Sequence, residues 1–274
     1  MRPPKKRTIG RNEQKPLRKG NKFHNSKPTA KKTTTEREDI RLNKYIADAG
    51  VCSRREADKL IADGEITVNG KVETNMGTRV TREDVIKYKG AVLKREKYVY
   101  ILINKPKDYI TTMSDDKDRK TVLDLIEGAC KERVYPVGRL DRNTTGLLLM
   151  TNDGELTKRL THPSHHVTKI YVAELDKPVS QDHLDQLMKG FELEDGFTKF
   201  DSAEYDPKTR SKNIILVKIH SGKNRIVRRS FEHLGYDVKK LDRIQFGTLK
   251  KGALTRGKWR LLNRKEIGFL KMTK

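Results

Sequence analysis

Cysteine is scarce in this chain: Cys52 and Cys130 are the only two among 274 residues, and neither belongs to a CxxC or His-rich spacing. A disulfide framework and a zinc site both lack support on that count. Long hydrophobic runs are missing too, since no stretch reaches the roughly 18 consecutive apolar residues that a membrane-spanning helix needs. The amino terminus, MRPPKKRTIGRNEQ, has positive charge without an apolar h-region, which speaks against a secretory signal and for the cytoplasm. The deficit with the most consequence is in acid. Only 37 Asp and Glu face 61 Lys and Arg, a formal net charge of +24. Such an excess implies a polyanionic partner, and nucleic acid leads for a chain with no membrane segment. At this length one large or two to three modest domains are expected, with enough chain to bury a proper core.

Residues 1–39 hold 13 Lys or Arg, 4 Asp or Glu and almost no large apolar side chains. They cannot bury enough surface to offset their ordering entropy and read as a disordered basic tail that adds counterion-release affinity for phosphates. The pattern changes at Ile40. In IRLNKYIADAGVCSRREADKLIADGEITVNGKVE, Leu42, Tyr45, Ile46 and Ala49 recur at helical spacing and Gly50 ends the run. Ser53 and Glu56 form an S-x-x-E capping box for a second helix, with Ala57, Leu60 and Ile61 on one face and Gly64 as its stop. ITV and KVE then flank Asn69-Gly70, a hairpin signal because both turn positions need φ > 0. The following KYKGAVLKREK reads as a polar connection. Arg41, Lys44, Arg54, Arg55 and Lys59 fall in or beside the helices. Arg54 and Arg55 occupy a first turn, where the helix dipole favours acids instead, so an external anion is the better account of them.

RLNKYIADAGVCSRREADKLI followed by ITVNGK resembles the alpha-L RNA-binding module first described in a small-subunit ribosomal protein. The match covers Ile40 to about Gly90, with helix order, capping, the SRREAD run and the NG turn all in agreement. It implies that the basic helical face grips structured RNA.

Beyond this module, YVYILINKP is an unbroken apolar run ended by Pro106 and reads as a buried strand. GLLLMT and KIYVAEL look like core strands, SQDHLDQLMKG like an N-capped helix, and NIILVKIH like a half-buried strand. NRIVRRSFEHLG is a helix stopped at Gly235. Several strands adjacent in sequence, with helices between, argue for an α+β domain over residues 98–274 with a mixed, largely antiparallel sheet.

Within it, YPVGRLDRNTTGLLLMTNDGEL places one carboxylate, Asp141, between Arg139 and Arg142. Gly138 and Asn143 permit a turn on each side, so Asp141 sits on a loop backed by a rigid strand. A carboxylate so placed suits a nucleophile or a base, kept ionised by nearby guanidinium groups.

PVGRLDRNTTGLLLMTNDGEL, with KIYVAEL and GKNRIVRR after it, is similar to the catalytic core of pseudouridine synthases. The closer likeness is to the subgroup that modifies single uridines in bacterial ribosomal RNA and joins this core to an alpha-L module. The match spans about Tyr98 to Leu262; GRLDxxTxGLLLxTNDGEL is its most specific piece, and His162-Pro163, Lys169 to Tyr171 and Leu193 to Gly196 agree in order. The resemblance implies isomerisation of a uridine in ribosomal RNA or a ribosomal precursor particle. Isomerisation involves no net redox change or phosphate transfer, so no metal or organic cofactor is expected, and docking to such a particle requires no self-association, so a monomer is expected. Asp141 matches the essential aspartate, acting either by covalent attack or by removing a sugar proton to give a glycal. Tyr171 matches the tyrosine that packs on the flipped-out base and serves as acid or base, and Arg228 the basic residue that pairs with the aspartate. Arg139 and Arg142 match phosphate or aspartate-loop contacts, Lys169 a backbone-binding flank, Arg225 and Arg229 further RNA contacts, and Lys240 to Gly247 a wall of the pocket. HPSHH and LEDG lean toward the large-subunit branch, and hence 23S rRNA.

Two positions depart from the pattern: Ile226 stands for a usual glutamine and Ser230 for a methionine, and isoleucine cannot make the hydrogen bonds of that amide. GALTRGKW, Gly252 to Trp259, fits G-x-x-x-x-G-K but has Trp259 where a P-loop needs a hydroxyl for magnesium. An RNA-dependent NTPase is thereby disfavoured. A non-catalytic rRNA-binding assembly factor is the remaining alternative, opposed by the joint presence of Asp141, Tyr171 and Arg228.

Overall fold

The computed structural model describes residues 39–273, so the tail assigned to residues 1–39 lies outside the described residues except for Asp39. The first module begins with α1 (Leu42–Asp48) and α2 (Arg54–Ala62), which bury Leu42, Ile46, Ala57 and Ile61 between them and the strands. The capping box forms: Ser53 Oγ accepts from the Glu56 amide at 3.3 Å, and the Glu56 carboxylate accepts from the Ser53 amide at 2.7 Å. Asn69 (φ 51°) and Gly70 (φ 83°) turn the hairpin of Ile66–Val68 and Lys71–Val72.

The polar connection is a finding against expectation. KYKGAVLKREK supplies a second hairpin, Ile86–Tyr88 with Ala91–Val92, turned at Lys89 (φ 48°) and Gly90 (φ 79°). It pairs with the first hairpin into a four-stranded antiparallel sheet, and its Ile86 is fully buried. Lysine at a left-handed position carries no turn signal of its own, so only the glycine marked the site.

The larger part is built on a nine-stranded sheet. Its path runs Ser202–Tyr205, Ile214–Ile219, Lys169–Leu175, Val238–Phe246, Thr144–Thr151, Tyr100–Lys105 and Trp259–Leu261. Leu249–Lys250 folds back on Val238–Phe246, and Tyr135–Pro136 on Thr144–Thr151. Alternation splits the apolar runs between two cores. Ile101, Ile103, Leu148 and Met150 face α4 (Gln181–Lys189) and α5 (Ile226–His233), whereas Leu102, Leu147 and Leu149 face α3 (Gly154–Thr161) and α6 (Arg264–Met272). Covering on both faces is why YVYILIN and GLLLM read as continuous runs and not as alternation. Asp153 starts α3 by accepting from the Leu156 amide at 3.0 Å and from the Tyr100 hydroxyl at 2.8 Å. Ser180 caps α4, and Asn263 with Glu266 forms a capping box on α6. No helix among the described residues is long and apolar enough to cross a membrane.

Among the described residues one pairing in this sheet is parallel: Thr144, Thr145 and Gly146 lie beside Leu241, Asp242 and Arg243. Registers across it place Val217, Tyr171, Arg243, Gly146 and Lys105 in one row. At Gly146 (φ 108°) a Cβ would collide with the backbone N, C and O of Arg243. Gly146→Ala is therefore expected to lower the unfolding free energy by more than about 2 kcal/mol, through clash and left-handed strain together. Denaturant titration reads this as a lower midpoint, and an unchanged midpoint contradicts the close approach.

Candidate active site

Asp141 sits on a turn that the chain fastens from three sides. Val137 enters it by donating its amide to Leu149 O at 2.8 Å, and Gly138 (φ 75°) bends it. The Thr144 amide donates to Asp141 O at 3.0 Å, closing the turn, and Thr144 Oγ1 donates to Asp141 Oδ2 at 3.4 Å. From the loop after Pro106, Thr111 Oγ1 donates to Leu140 O at 2.8 Å, and the Asp108 amide to Arg142 O at 3.0 Å.

The third fastening is Lys105, a fully buried lysine. Its Nζ donates to Thr144 O at 2.9 Å, Pro106 O at 3.0 Å and Arg142 O at 3.3 Å. Burial pushes its pKa down to about 8, against the upward pull of Asp141 and Asp108, so it remains charged at neutral pH. Sequence reasoning took INKP as a strand end and missed this residue. The available signal was a lysine inside an apolar run, since lysine is almost never fully buried without partners.

Next to the turn lies a cavity of about 290 Å³, near the lower end of the ~300–1,000 Å³ usual for small-ligand pockets. Asp141, Arg139, Lys169, Tyr171, Arg225 and Arg243 line it, with Leu160, Ile226, Val227, Leu241 and Phe246 as apolar wall. Asp141 and Tyr171 are thus brought together, Tyr171 from the strand two places across the sheet. Ile226, at the position of the missing glutamine, is one of the apolar walls, and Ser230 is fully buried with an unpartnered Oγ.

Arg228 is not placed as expected. It is buried and lies outside the cavity lining, and it makes no ion pair with Asp141. Its Nη1 donates to Val238 O at 2.7 Å and its Nη2 to Asn143 O at 3.5 Å, so the guanidinium braces the backbone two residues beyond the carboxylate. Burial lowers its pKa while the charges of Asp141, Glu232 and Asp237 act to raise it; its reach to Asp141 is through space.

The other expected contacts divide by location. Lys169 is a wall of the cavity and not a flank: its Nζ donates to His220 O at 2.7 Å, and burial, then the charge of Arg243, pushes its pKa down to about 8. Arg142 points away from the cavity lining, exposed and donating to Asp108 Oδ1 at 3.0 Å. Arg225, in a left-handed conformation (φ 47°) at the start of α5, pairs with Glu232 at 3.5 Å, and Arg229 chelates the Asp195 carboxylate. In the first module Arg41, Arg54, Arg55 and Lys59 are exposed. Lys44 is half-buried and pairs with Asp48 and with Glu155 of α3, each at 3.4 Å. The stretch Gly252 to Lys258 forms turns with no helix after it, and Arg256 pairs with Asp242 at 3.1 Å, unlike a phosphate-binding loop.

A family model described as RNA pseudouridylate synthase matches residues 99–233, and an S4 domain model matches residues 40–86. Over 230 residues the chain is 43% identical to ribosomal large subunit pseudouridine synthase B of Bacillus subtilis (strain 168), spanning 83% of this chain and 93% of that protein. The chain belongs to the RNA pseudouridylate synthase family. An uncharacterised RNA pseudouridine synthase of Aquifex aeolicus is 42% identical over 85% of this synthase and 94% of its own length. The dual-specificity RNA pseudouridine synthase RluF of Escherichia coli K12 is 33% identical over 83% and 77%. A crystal structure of a pseudouridylate synthase superposes with a TM-score of 0.60 at 29% identity, covering 84% of this chain and 99% of that one. The synthase thus joins an RNA-binding S4 domain to a pseudouridine synthase domain.

Lys105→Met keeps the stem and removes the ammonium, taking its donor from Thr144 O and leaving Arg142 O only the Asp108 amide. The expected loss is about 1–3 kcal/mol of unfolding free energy, together with a fall in turnover. Wild-type stability and turnover in this variant would show that the turn holds itself.

Proposed function

We propose that this synthase isomerises a specific uridine of ribosomal RNA, in the large subunit, with Asp141 as the essential carboxylate and Tyr171 as the surface on which the base rests. A base cannot be detached, rotated and reattached through carbon while it stays stacked in RNA. It has to be extruded, at a cost of a few kcal/mol, and an aromatic face recovers about 1–3 kcal/mol of that. The observation that carries the reading is the shared cavity: Asp141 and Tyr171 face one enclosure near the size of a small-ligand pocket. Asp141 acts there by attack on the sugar or base, or by taking a sugar proton. Arg228 and Lys105 hold the turn through its backbone carbonyls and supply positive charge from behind. The large-subunit assignment leans on the Bacillus subtilis relative, whose name states that target. A ribosomal substrate puts the protein in the cytoplasm, where docking to a ribosomal particle requires no self-association.

RNA affinity is assigned largely to the exposed cations of the S4 domain, Arg41, Arg54, Arg55 and Lys59, with Arg139 and Arg225 lining the cavity and Arg142 and Arg229 outside its lining. Asp141→Asn should abolish pseudouridine formation, by at least about a thousandfold in single-turnover rate, with RNA affinity within about twofold of wild type. Modification mapping in cells carrying the variant should show one large-subunit uridine left unmodified. Persistence of every pseudouridine there, with no redundant enzyme present, contradicts the assignment. The double variant Arg55→Ala/Lys59→Ala should weaken RNA binding and flatten the slope of log K against log salt by about 0.7–0.9 for each phosphate no longer neutralised. Its rate at saturating RNA should match wild type; a slower saturated rate would place these residues in the chemistry.

A further inference from the structure

The cavity holds more buried positive charge than the fastening of Asp141 uses. Arg243 is 2% exposed, and it lines the cavity as the cross-strand neighbour of Tyr171. Its Nε donates to Leu147 O at 2.7 Å, and its guanidinium lies over the Phe246 ring, 4.8 Å from the centroid. These two contacts fix the plane of the group, yet Nη2 is buried with no acceptor. Lys169 stands two residues before Tyr171 on the same strand, and its Nζ is held toward the carbonyls of His220 (2.7 Å) and Ser221 (3.4 Å). Among the described residues neither cation has a carboxylate within ion-pair distance, although their like charges act on each other. Buried Arg243 and half-buried Lys169, repelling each other with no carboxylate in ion-pair distance, are costly to hold together unless an anion arrives to share them.

The reaction generates such an anion. On either route in which Asp141 acts on the sugar, the electron pair of the C1′–N1 bond stays with the ring when that bond breaks. The sugar is satisfied by bonding the carboxylate at C1′ or by giving a C2′ proton to it. The released uracil is then a monoanion with charge spread over N1, O2 and O4. Reattachment uses that electron density to form C5–C1′ as the Asp141–C1′ bond breaks or as C2′ takes its proton back from Asp141, after which the C5 proton leaves to a base. Between the two events the ring must turn without escaping and without being protonated at N1.

Resting on the pseudouridine-forming reading above, we propose that Arg243 and Lys169 are the anion-holding pair for detached uracil, donating to its carbonyl oxygens as charge builds on them. They therefore act on the leaving ring, separately from Lys105 and Arg228, which act on the Asp141 turn. Preorganised donors of this kind are usually the largest single contribution to a rate. The Gly146 approach that seats the Arg243 backbone under the turn is part of the same arrangement.

The test uses the full chain and an rRNA fragment containing the target, under single-turnover conditions at saturating protein. Lys169→Met and Arg243→Gln should each slow loss of the target uridine on the order of a hundredfold or more, with fragment affinity within about twofold of wild type. Replacing the target by 5-fluorouridine makes the departing anion more stable, so the deficit of both variants should shrink on that RNA. Arg243→Lys, checked for a wild-type melting temperature, guards against a folding defect and should recover part of the rate. Deficits equal on the two RNAs, full rates in both variants, or losses accounted for by weaker binding would each overturn the proposal. Failure of the wild type to form pseudouridine would instead strike the preceding reading, so the two are separable.

Discussion

A single close contact between strands governs the site: Gly146 lies against the backbone of Arg243 in the parallel pair, where no Cβ fits. The neighbouring pairs in this sheet are antiparallel and can be reached by hairpins or short returns, but a parallel neighbour requires a crossover. The chain between Thr151 and Val238 makes that crossover, and it contains the Lys169–Leu175 strand with Tyr171. Closing the parallel pair therefore brings the Asp141 turn, Arg243 and Tyr171 to the same end of the sheet in one step. Lys105 on the opposite neighbour completes the row and ties the turn down.

Charge is sorted by depth. Of the excess that gives the chain +24, the exposed arginines and lysines interact with phosphate through water and lose much of that attraction as salt is raised. Lys105, Arg228 and Arg243 are buried, spend hydrogen bonds on backbone carbonyls and are barely screened. On the proposed reading, affinity for RNA and control of the Asp141 carboxylate reside in different residues, although one composition statistic counts them alike. Lys169 is half-buried and lines the cavity, although the family resemblance implied an RNA-backbone flank.

Local rules accounted for α1, α2, α4, α5 and the first hairpin from signals such as Ser53 with Glu56, Ser180 before α4, Gly235 after α5 and Asn69-Gly70 at the turn, whereas α3 and α6 were not read as helices. YVYILIN and GLLLMT were legible as strands from apolar runs and NIILVKIH from its alternation, but the central strand Val238–Phe246, broken by Lys239, Lys240, Asp242 and Arg243, was read only as a pocket wall. The second hairpin of the S4 domain was not legible, since Lys89 takes φ 48° without any residue-type preference for it. In the site, Asp141 and Tyr171 were recognisable from motif resemblance, and the structure places both on one cavity. Arg228 was located by the same resemblance but its contacts were not, because a guanidinium on a helix's first turn can reach a carboxylate or a carbonyl with equal ease. Strand register decided what Lys105 and Arg243 touch. Register depends on pairing between segments about 40 to 100 residues apart, which no local pattern encodes.

The central claim is that one enclosure receives a flipped uridine against Tyr171, with Asp141 at its sugar and Arg243 and Lys169 at its carbonyl oxygens. A crystal structure of the Asp141→Asn protein bound to its rRNA target tests this most directly. The account predicts a uracil ring out of the RNA stack, lying on Tyr171 inside the cavity, with O2 or O4 within hydrogen-bonding distance of the Arg243 and Lys169 nitrogens. A target base that stays stacked in the RNA, or one seated on another surface while the cavity remains without it, would contradict the account.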